Sequence, residues 1–95
     1  MNSGQRFRAR VHVYPRREIL DPQGKAIGEA LERLGYEDAE DVRAGKGFEL
    51  TVEAVSEDAA RERLAEMADK LLANPITEDY SVELLGGESL GSAER

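Results

Sequence analysis

An alternating segment near the N-terminus restricts the fold of this chain more than any other stretch. Between residues 7 and 14, apolar side chains alternate with polar ones. The apolar set comprises Phe7, Ala9, Val11 and Val13, and the polar set comprises Arg8, Arg10, His12 and Tyr14. A period of two predicts a half-buried strand with one apolar and one polar face. Pro15 is expected to end this strand.

A helix is predicted to begin at Asp21 and Pro22. Aspartate accepts hydrogen bonds from the free N–H groups of the first turn, and proline fits the first helical position because its missing donor would be unpaired anyway. Gly35 is expected to end the helix in the left-handed conformation. Apolar residues recur at helical spacing in between, namely Ile27, Ala30, Leu31 and Leu34.

The middle of the chain predicts two strands joined by a tight turn. Residues 41–44 form the short first strand, and Gly45-Lys46-Gly47 forms the turn because glycine accepts a positive φ. The strand that follows alternates in the same way as the N-terminal one. Its apolar face comprises Phe48, Leu50, Val52 and Ala54.

Ser56 predicts the start of a second helix, because its hydroxyl can accept a hydrogen bond from the first turn. The expected buried stripe of this helix comprises Ala60, Leu64, Met67, Ala68 and Leu71. Asn74-Pro75 is expected to stop the helix, and a last strand follows with Tyr80, Val82 and Leu84 on its apolar face. The domain is expected to span residues 1–85, and residues 86–95 to form a flexible tail.

The predicted order of elements is β-α-β-β-α-β, which is typical of ferredoxin-like domains. We therefore expect an α+β fold with two helices on one face of an antiparallel four-stranded sheet. The first strand is central in that topology, so its arginines should face Glu49, Glu53 and Glu83 on the neighbouring strands. Such cross-strand pairs contribute ~0.2–1 kcal/mol each. An open sheet face and free edge strands also favour self-association.

Composition and charge exclude several classes of protein. The net charge of −7 repels phosphate backbones and argues against nucleic acid as the main partner. Cysteine is absent, so the chain has neither a disulfide framework nor a thiolate site. The N-terminus lacks the apolar run of a signal peptide, and no stretch approaches the ~18 apolar residues of a membrane span. We expect a cytoplasmic protein that does not bind membranes.

No segment has a recognisable catalytic or metal-binding spacing. His12, the only histidine, lacks further ligands or a nucleophile in a suitable pattern and is expected to be an exposed strand residue. Gly24-Lys25-Ala26 lacks the earlier glycine and the hydroxyl residue of a phosphate loop, although the helix start could hold an anion weakly. Gly24 and Gly28 lie four residues apart, which is typical of close approach to another backbone, either that of the sheet or that of a partner subunit.

Several segments, in this order, resemble the PurS family. Residues 20–26 look like the start of the family's first helix, and Leu34-Gly35-Tyr36 looks like its end. Residues 41–46 resemble the second strand and turn, and residues 71–75 and 78–80 resemble the end of the second helix and the entry to the last strand. The loop over residues 15–19 departs from the family, which commonly has a Pro-Gly pair there.

The resemblance implies a non-catalytic subunit of phosphoribosylformylglycinamidine synthase, a carbon–nitrogen ligase complex of purine biosynthesis. It implies a homodimer that bridges a PurL-type synthetase subunit and a PurQ-type glutaminase subunit and assists ammonia transfer. The chain itself is expected to bind no cofactor, while the synthetase partner uses ATP and Mg. The matching positions predict a docking surface that comprises Asp21, Gln23, Gly24, Lys25, Arg43, Lys46, Asn74, Pro75 and Tyr80.

Two functions from other classes remain open on the sequence. A regulatory domain of ferredoxin-like fold would bind a small ligand, such as an amino acid or a nucleotide, and would be stabilised by it. An enzyme of the acylphosphatase type is a poorer fit, because no glycine-rich loop surrounds Arg16 and Arg17. An RNA-recognition domain fits poorly too, because Glu49 and Glu53 would face the RNA.

Overall fold

The computed structural model describes residues 4–86 of the chain. The strands are β1 (Gln5–Pro15), β2 (Lys46–Ala54) and β3 (Glu78–Gly86). The helices are α1 (Pro22–Arg33) and α2 (Glu57–Met67), and α2 continues into a π-helical turn, Ala68–Leu72. None of these helices is long and apolar enough to cross a membrane. The tail expected over residues 86–95 lies outside the described residues, apart from Gly86.

β1 lies between β2 and β3 and pairs antiparallel with both, so the predicted central place of the first strand is confirmed. Val11 of β1 lies opposite Phe48 of β2 and Val82 of β3. Because side chains alternate between the two faces of a strand, this register places the apolar faces of all three strands on the same side.

The polar face of the sheet contains part of the predicted ladder of cross-strand pairs between arginine and glutamate. Arg10 lies opposite both Glu49 and Glu83, and its guanidinium nitrogens approach their carboxylates to 2.7 and 3.7 Å. Arg6 lies opposite Glu53, but no ion pair joins them within residues 4–86. The ladder is therefore confirmed at Arg10.

The hydrophobic core lies between the apolar face of the sheet and α2. Ser56 caps α2 as predicted, and its hydroxyl oxygen accepts a hydrogen bond from the N–H of Ala59 at 3.1 Å. Leu64 of α2 is fully buried against the sheet. The buried core residues are Phe7, Ala9, Val11, Val13, Val52, Ala60, Leu64, Ala68 and Ala73. None of them belongs to α1.

α1 begins and ends as the sequence predicts. The Asp21 carboxylate accepts a hydrogen bond from the N–H of Gly24 at 3.0 Å and caps the first turn. Gly35 adopts a φ of +99°, and the next N–H, that of Tyr36, donates to the carbonyl of Leu31 at 2.9 Å. These two features form the left-handed helix end that glycine permits.

The apolar stripe of α1 is not buried. Ile27 is 41% exposed and Leu34 is 72% exposed, whereas Ala30 and Leu31 are half-buried. The α+β class with two helices and an antiparallel sheet is confirmed, but the burial expected for this stripe is wrong. α2 covers the apolar face of the sheet, whereas the apolar stripe of α1 remains exposed to solvent.

The sheet has three strands, so the expectation of four strands is wrong. Asp41 adopts a left-handed φ of 58°, which interrupts an extended conformation. The N–H of Ala44 donates to the Asp21 carboxylate at 2.9 Å instead of to a strand carbonyl. Neither glycine of the expected turn has a positive φ, and Gly45 instead packs directly against the backbone of Val13.

The π-helical turn changes which leucine faces the core. Leu71 was expected to continue the buried stripe of the second helix, but it is 83% exposed. Leu72 packs against the core instead, and Ala73 is buried. A π turn contains an additional residue compared with an α turn, so it rotates the following side chains around the helix axis.

The contact between Gly45 and β1 gives a test of this architecture. A Cβ at position 45 would collide with the carbonyl oxygen of Val13, so Gly45→Ala should lower the free energy of unfolding by about 1–3 kcal/mol. Gly47→Ala is the matched control, because a Cβ there meets nothing within 4 Å and should leave stability unchanged or slightly raised. Urea unfolding measures both, and equal stability of Gly45→Ala and the wild type would contradict the contact.

Candidate docking surface

The Asp21 carboxylate joins α1 to the segment that precedes β2. One of its oxygens accepts a hydrogen bond from Gly24 at 3.0 Å, and the other accepts one from Ala44 at 2.9 Å. The hydrogen bond from Ala44, then that from Gly24, and the charge of Arg43 lower the pKa of Asp21 below its ordinary value of 3.8. The ionised carboxylate is therefore the form that connects the two elements.

α1 approaches the same segment closely through two glycines. A Cβ at Gly24 would lie 2.6 Å from the carbonyl oxygen of Val42, and a Cβ at Gly28 would lie 3.6 Å from the Val42 side chain. The prediction of a close backbone approach is confirmed for Gly24, whereas Gly28 makes an ordinary contact with the Val42 side chain. The backbone that Gly24 approaches belongs to the segment before β2 and not to the sheet.

The Arg43 side chain is hydrogen-bonded to the backbone at the end of β1. Its Nη2 donates hydrogen bonds to the carbonyl oxygen of Pro15 and, at 3.0 Å, to that of Arg16. Arginine presents several N–H donors from one planar group, so it can satisfy two carbonyls at once. Sequence reasoning found no core role for Arg43, and the structure gives it a role in fixing the loop after β1.

Arg16, the residue after β1, is also hydrogen-bonded to the connection between α2 and β3. The N–H of Arg16 donates to the carbonyl of Thr77 at 2.9 Å, and its Nη2 donates to the carbonyl of Pro75 at 2.8 Å. Its Nε lies 3.4 Å from Oδ1 of Asp79. The side chain of Asn74 accepts a hydrogen bond within this turn, so both its backbone and its side chain shape the connection.

The cationic side chain at the start of α1 is paired. Nζ of Lys25 lies 2.9 Å from Oε2 of Glu29, one turn along the helix, and Gln23 is exposed beside it. This pair raises the pKa of Lys25 through the hydrogen bond and the charge of Glu29. The carboxylate of Asp21 already occupies the helix N-terminus. It takes the place of the weakly bound anion that the sequence suggested there.

The remaining predicted residues lie on the strands. Lys46 begins β2 and its Nζ lies 3.7 Å from Oε1 of Glu78, while Tyr80 is half-buried against the core. Both residues lie opposite Val13, two residues before the end of β1, and Arg43 and Pro75 are hydrogen-bonded to residues at the same end. Asp21 and Gly24 instead contact residues 42–44.

A cavity of about 470 Å³ opens at the end of β1. It is lined by Tyr14, Pro15, Arg17, Asp41, Arg43 and Asp79. Arg17 donates a hydrogen bond to Asp41 at 2.8 Å, which lowers the pKa of the Asp41 carboxyl. Sequence reasoning missed Arg17, Asp41 and Asp79 here, although two consecutive arginines directly after a strand are a signal that a cationic group lies at its end.

His12 lies on the polar face of β1, as predicted. Its Nε2 lies 3.0 Å from Oε1 of Glu83, and its side chain is 33% exposed, so it is half-buried rather than fully exposed. In the part of the chain that the structure describes, no group of three His, Cys, Asp or Glu side chains is arranged to hold a metal ion. The surface presents paired charges and loops held by hydrogen bonds.

Asp21→Asn tests the connection that the Asp21 carboxylate makes between α1 and the segment before β2. Asparagine offers one oxygen in place of two, so one of the hydrogen bonds from Gly24 and Ala44 is lost and the melting temperature should fall at pH 7. The pKa of Asp21 is lower in the folded state, so its contribution is present above its ordinary value of 3.8 and disappears as the pH falls through the folded value. The difference in melting temperature between variant and wild type should therefore shrink below about pH 4.

Asp38→Asn is the control for this measurement, since Asp38 is exposed and makes no hydrogen bond or ion pair within residues 4–86. It should melt as the wild type does at every pH. A melting temperature of Asp21→Asn equal to that of the wild type at pH 7 would contradict the role of Asp21.

Comparison with known proteins agrees on one family. The PurS family profile, described as "Phosphoribosylformylglycinamidine (FGAM) synthase", matches residues 8–86. The PurS subunit of Mycobacterium leprae is 51% identical over 75 residues, which cover 79% of this chain and 91% of the relative. The subunit of Bacillus subtilis is 41% identical over 78 residues, covering 82% and 92%.

Solved structures agree with the sequence match. A crystal structure of the PurS subunit of Thermotoga maritima superposes with a TM-score of 0.80 at 30% identity, covering 88% of this chain and 97% of that one. A chain in "Structure of PurLQS from Thermotoga maritima" has a TM-score of 0.76 at 31% identity, covering 84% and 98%. The family profile, the relatives and the solved structures each match most of the chain, and the chain therefore belongs to the PurS family.

Proposed function

We propose that this chain is the small, non-catalytic subunit of a phosphoribosylformylglycinamidine synthase in purine biosynthesis. The family match over residues 8–86 is the observation that carries the proposal. The proposed complex converts formylglycinamide ribonucleotide to formylglycinamidine ribonucleotide with ATP and glutamine. The chain bridges a PurL-type synthetase subunit and a PurQ-type glutaminase subunit in the cytoplasm and assists the transfer of ammonia between them.

The paired charges of the docking surface support a bridging role. Ammonia that is released at one site must reach another without loss to water, so a bridging subunit has to hold the two sites in register and exclude solvent. The Arg43 side chain is hydrogen-bonded to a carbonyl at the end of β1 and the Arg16 side chain to that of Pro75 before β3, which fixes the shape of this surface. In this proposal ATP and Mg bind to the synthetase partner, and this chain binds no cofactor.

The proposed docking surface comprises the first turn of α1 and the loops at the end of β1. Gln23 and Lys25 are exposed there, with 69% of the Lys25 side chain accessible. Asp21, Gly24 and Arg43 set the position of this turn through the contacts described above. A surface whose backbone is fixed before binding loses less conformational entropy on association.

We propose further that the chain is a homodimer in which a second copy covers the apolar stripe of α1. Ile27 and Leu34 are exposed on a helix that contributes nothing to the core, and full burial of such a side chain contributes ~1.5–3 kcal/mol. β2 and β3 are also edge strands in the three-stranded sheet. A two-fold axis would let each copy supply the same stripe to the other.

Reconstitution tests the proposed function. The synthetase and glutaminase subunits from the same organism are mixed with ATP, Mg, glutamine and formylglycinamide ribonucleotide, with and without this chain. Product should form from glutamine only when the chain is present, because the chain couples the two sites. Product should form from free ammonia without the chain, because the synthetase carries the chemistry.

The two ammonia sources separate coupling from catalysis. Equal glutamine-dependent rates with and without the chain would contradict the proposed bridging role. A requirement for the chain in the ammonia-dependent reaction as well would contradict its non-catalytic character.

A further inference from the structure

α1 is a short helix that takes no part in the hydrophobic core. It spans the 12 residues Pro22–Arg33, and a helix of about that length is only marginally stable in water unless its apolar face packs against a partner. Neither the buried core residues nor the apolar residues packed around them include a residue of α1. Within residues 4–86, the stripe of α1 therefore lacks the packing partner that a helix of this length needs.

The dimensions of the chain agree with a helix that lies away from the core. The radius of gyration of the Cα atoms is 17.0 Å, whereas a compact domain of this length has a value of about 12 Å. The hydrogen bond between Asp21 and Ala44 and the close approach of Gly24 to Val42 attach the start of α1 to the segment before β2. These contacts fix the helix in a position from which its stripe does not reach the core of its own chain.

α2 crosses the apolar face of the sheet diagonally. It begins just after β2, whose last residue, Ala54, lies opposite Gln5 at the start of β1. The π-helical turn that follows α2 leads to β3, whose first residue, Glu78, lies opposite Pro15 at the end of β1. Because β1 lies between β2 and β3, α2 passes over β1, and the start of β2 lies off its path.

The start of β2 presents apolar side chains that α2 does not fully cover. Phe48 and Leu50 are half-buried there, whereas Val52, which is nearer to the start of α2, is 7% exposed. Lys46 lies at the rim on the same face, and its Nζ is 3.7 Å from Oε1 of Glu78. We call the surface that comprises Phe48 and Leu50 the β2 corner. Its side chains have apolar surface left to bury.

The stripe of α1 and the β2 corner are chemically complementary. Both are apolar and partly accessible, so packing one against the other removes apolar surface from water. The net charge of α1 is zero, because it contains two basic and two acidic side chains, namely Lys25, Arg33, Glu29 and Glu32. The net charge of −7 on a second copy therefore does not repel the helix as a whole.

We propose that the two copies in the homodimer exchange α1, so that the stripe of each helix packs on the β2 corner of the other copy. The inference rests on the homodimer of the proposed function and names the surface of the second copy that receives the helix. Ile27 lies beside Leu50 of the other copy, and the two-fold axis repeats the contact. Exchange of an identical element between protomers is a low-cost route to a dimer.

Cross-linking of singly substituted chains tests the exchange, because the wild-type chain has no cysteine that could compete. A tagged Ile27→Cys chain and an untagged Leu50→Cys chain are unfolded, mixed, refolded together and treated with a short bismaleimide. The mixture should give a cross-linked pair of one tagged and one untagged chain. Each variant treated alone should give no cross-linked pair, because in the exchanged dimer position 27 of one copy lies beside position 50 of the other.

Two further variants control the measurement. Val55→Cys replaces Leu50→Cys in a parallel mixture and should not be cross-linked to Ile27→Cys, because Val55 is 66% exposed outside the β2 corner. Phe48→Cys repeats the test at the neighbouring position of the corner, in case Leu50→Cys does not fold. Each variant is first shown by sedimentation to have the oligomeric state of the wild type.

The outcomes separate the exchange from the proposed function. A dimer in which Ile27→Cys is cross-linked to itself would overturn the exchange, because the two stripes would then face each other. A chain with both Ile27→Cys and Leu50→Cys that is cross-linked internally would also overturn it, because α1 would then pack on its own sheet. A wild-type chain that is monomeric in sedimentation would overturn both the exchange and the homodimer, while reconstitution with the two catalytic subunits tests the subunit role independently.

Discussion

The two hydrogen bonds to the Asp21 carboxylate determine where α1 lies. One comes from the first turn of the helix and the other from Ala44, so a single side chain both starts α1 and attaches it to the segment before β2. Gly24 allows the helix to approach Val42 closely, and Arg43 in the same segment binds the end of β1. α1 is thereby held by its N-terminal end, and the stripe that includes Ile27 and Leu34 stays open to other contacts.

This arrangement divides the chain into a core and surfaces for assembly. β1 lies between β2 and β3. The buried cluster comes from β1, β2 and α2, together with Ala68 of the π-helical turn and Ala73, which follows that turn. A domain of this size buries a modest fraction of its surface, so further burial through association would stabilise it. The stripe of α1 that includes Ile27 and Leu34 lies outside this core and is exposed.

The sequence predicted the features that depend on local patterns. The alternation within each of β1, β2 and β3 and the caps at Asp21 and Ser56 were sufficient to place three strands and both helices. It did not predict the irregular segment at 41–44, because that segment is held by side chains distant in the sequence. It also missed the exposure of Leu71, since one additional residue in a helical turn does not alter apolar periodicity visibly. Asp21, Gly24 and Arg43 were identified as candidates from family resemblance, but their contacts required the three-dimensional arrangement.

The proposed homodimer requires the exposed stripe of α1 to be buried against a second copy. Amide hydrogen exchange at a series of protein concentrations tests this directly, with sedimentation to follow the oligomeric state. Protection of residues 22–33 should rise with concentration as the dimer forms, while the amides of β1 stay protected throughout. Protection of α1 that is the same in the monomer and at high concentration, or a chain that stays monomeric at every concentration, would contradict it.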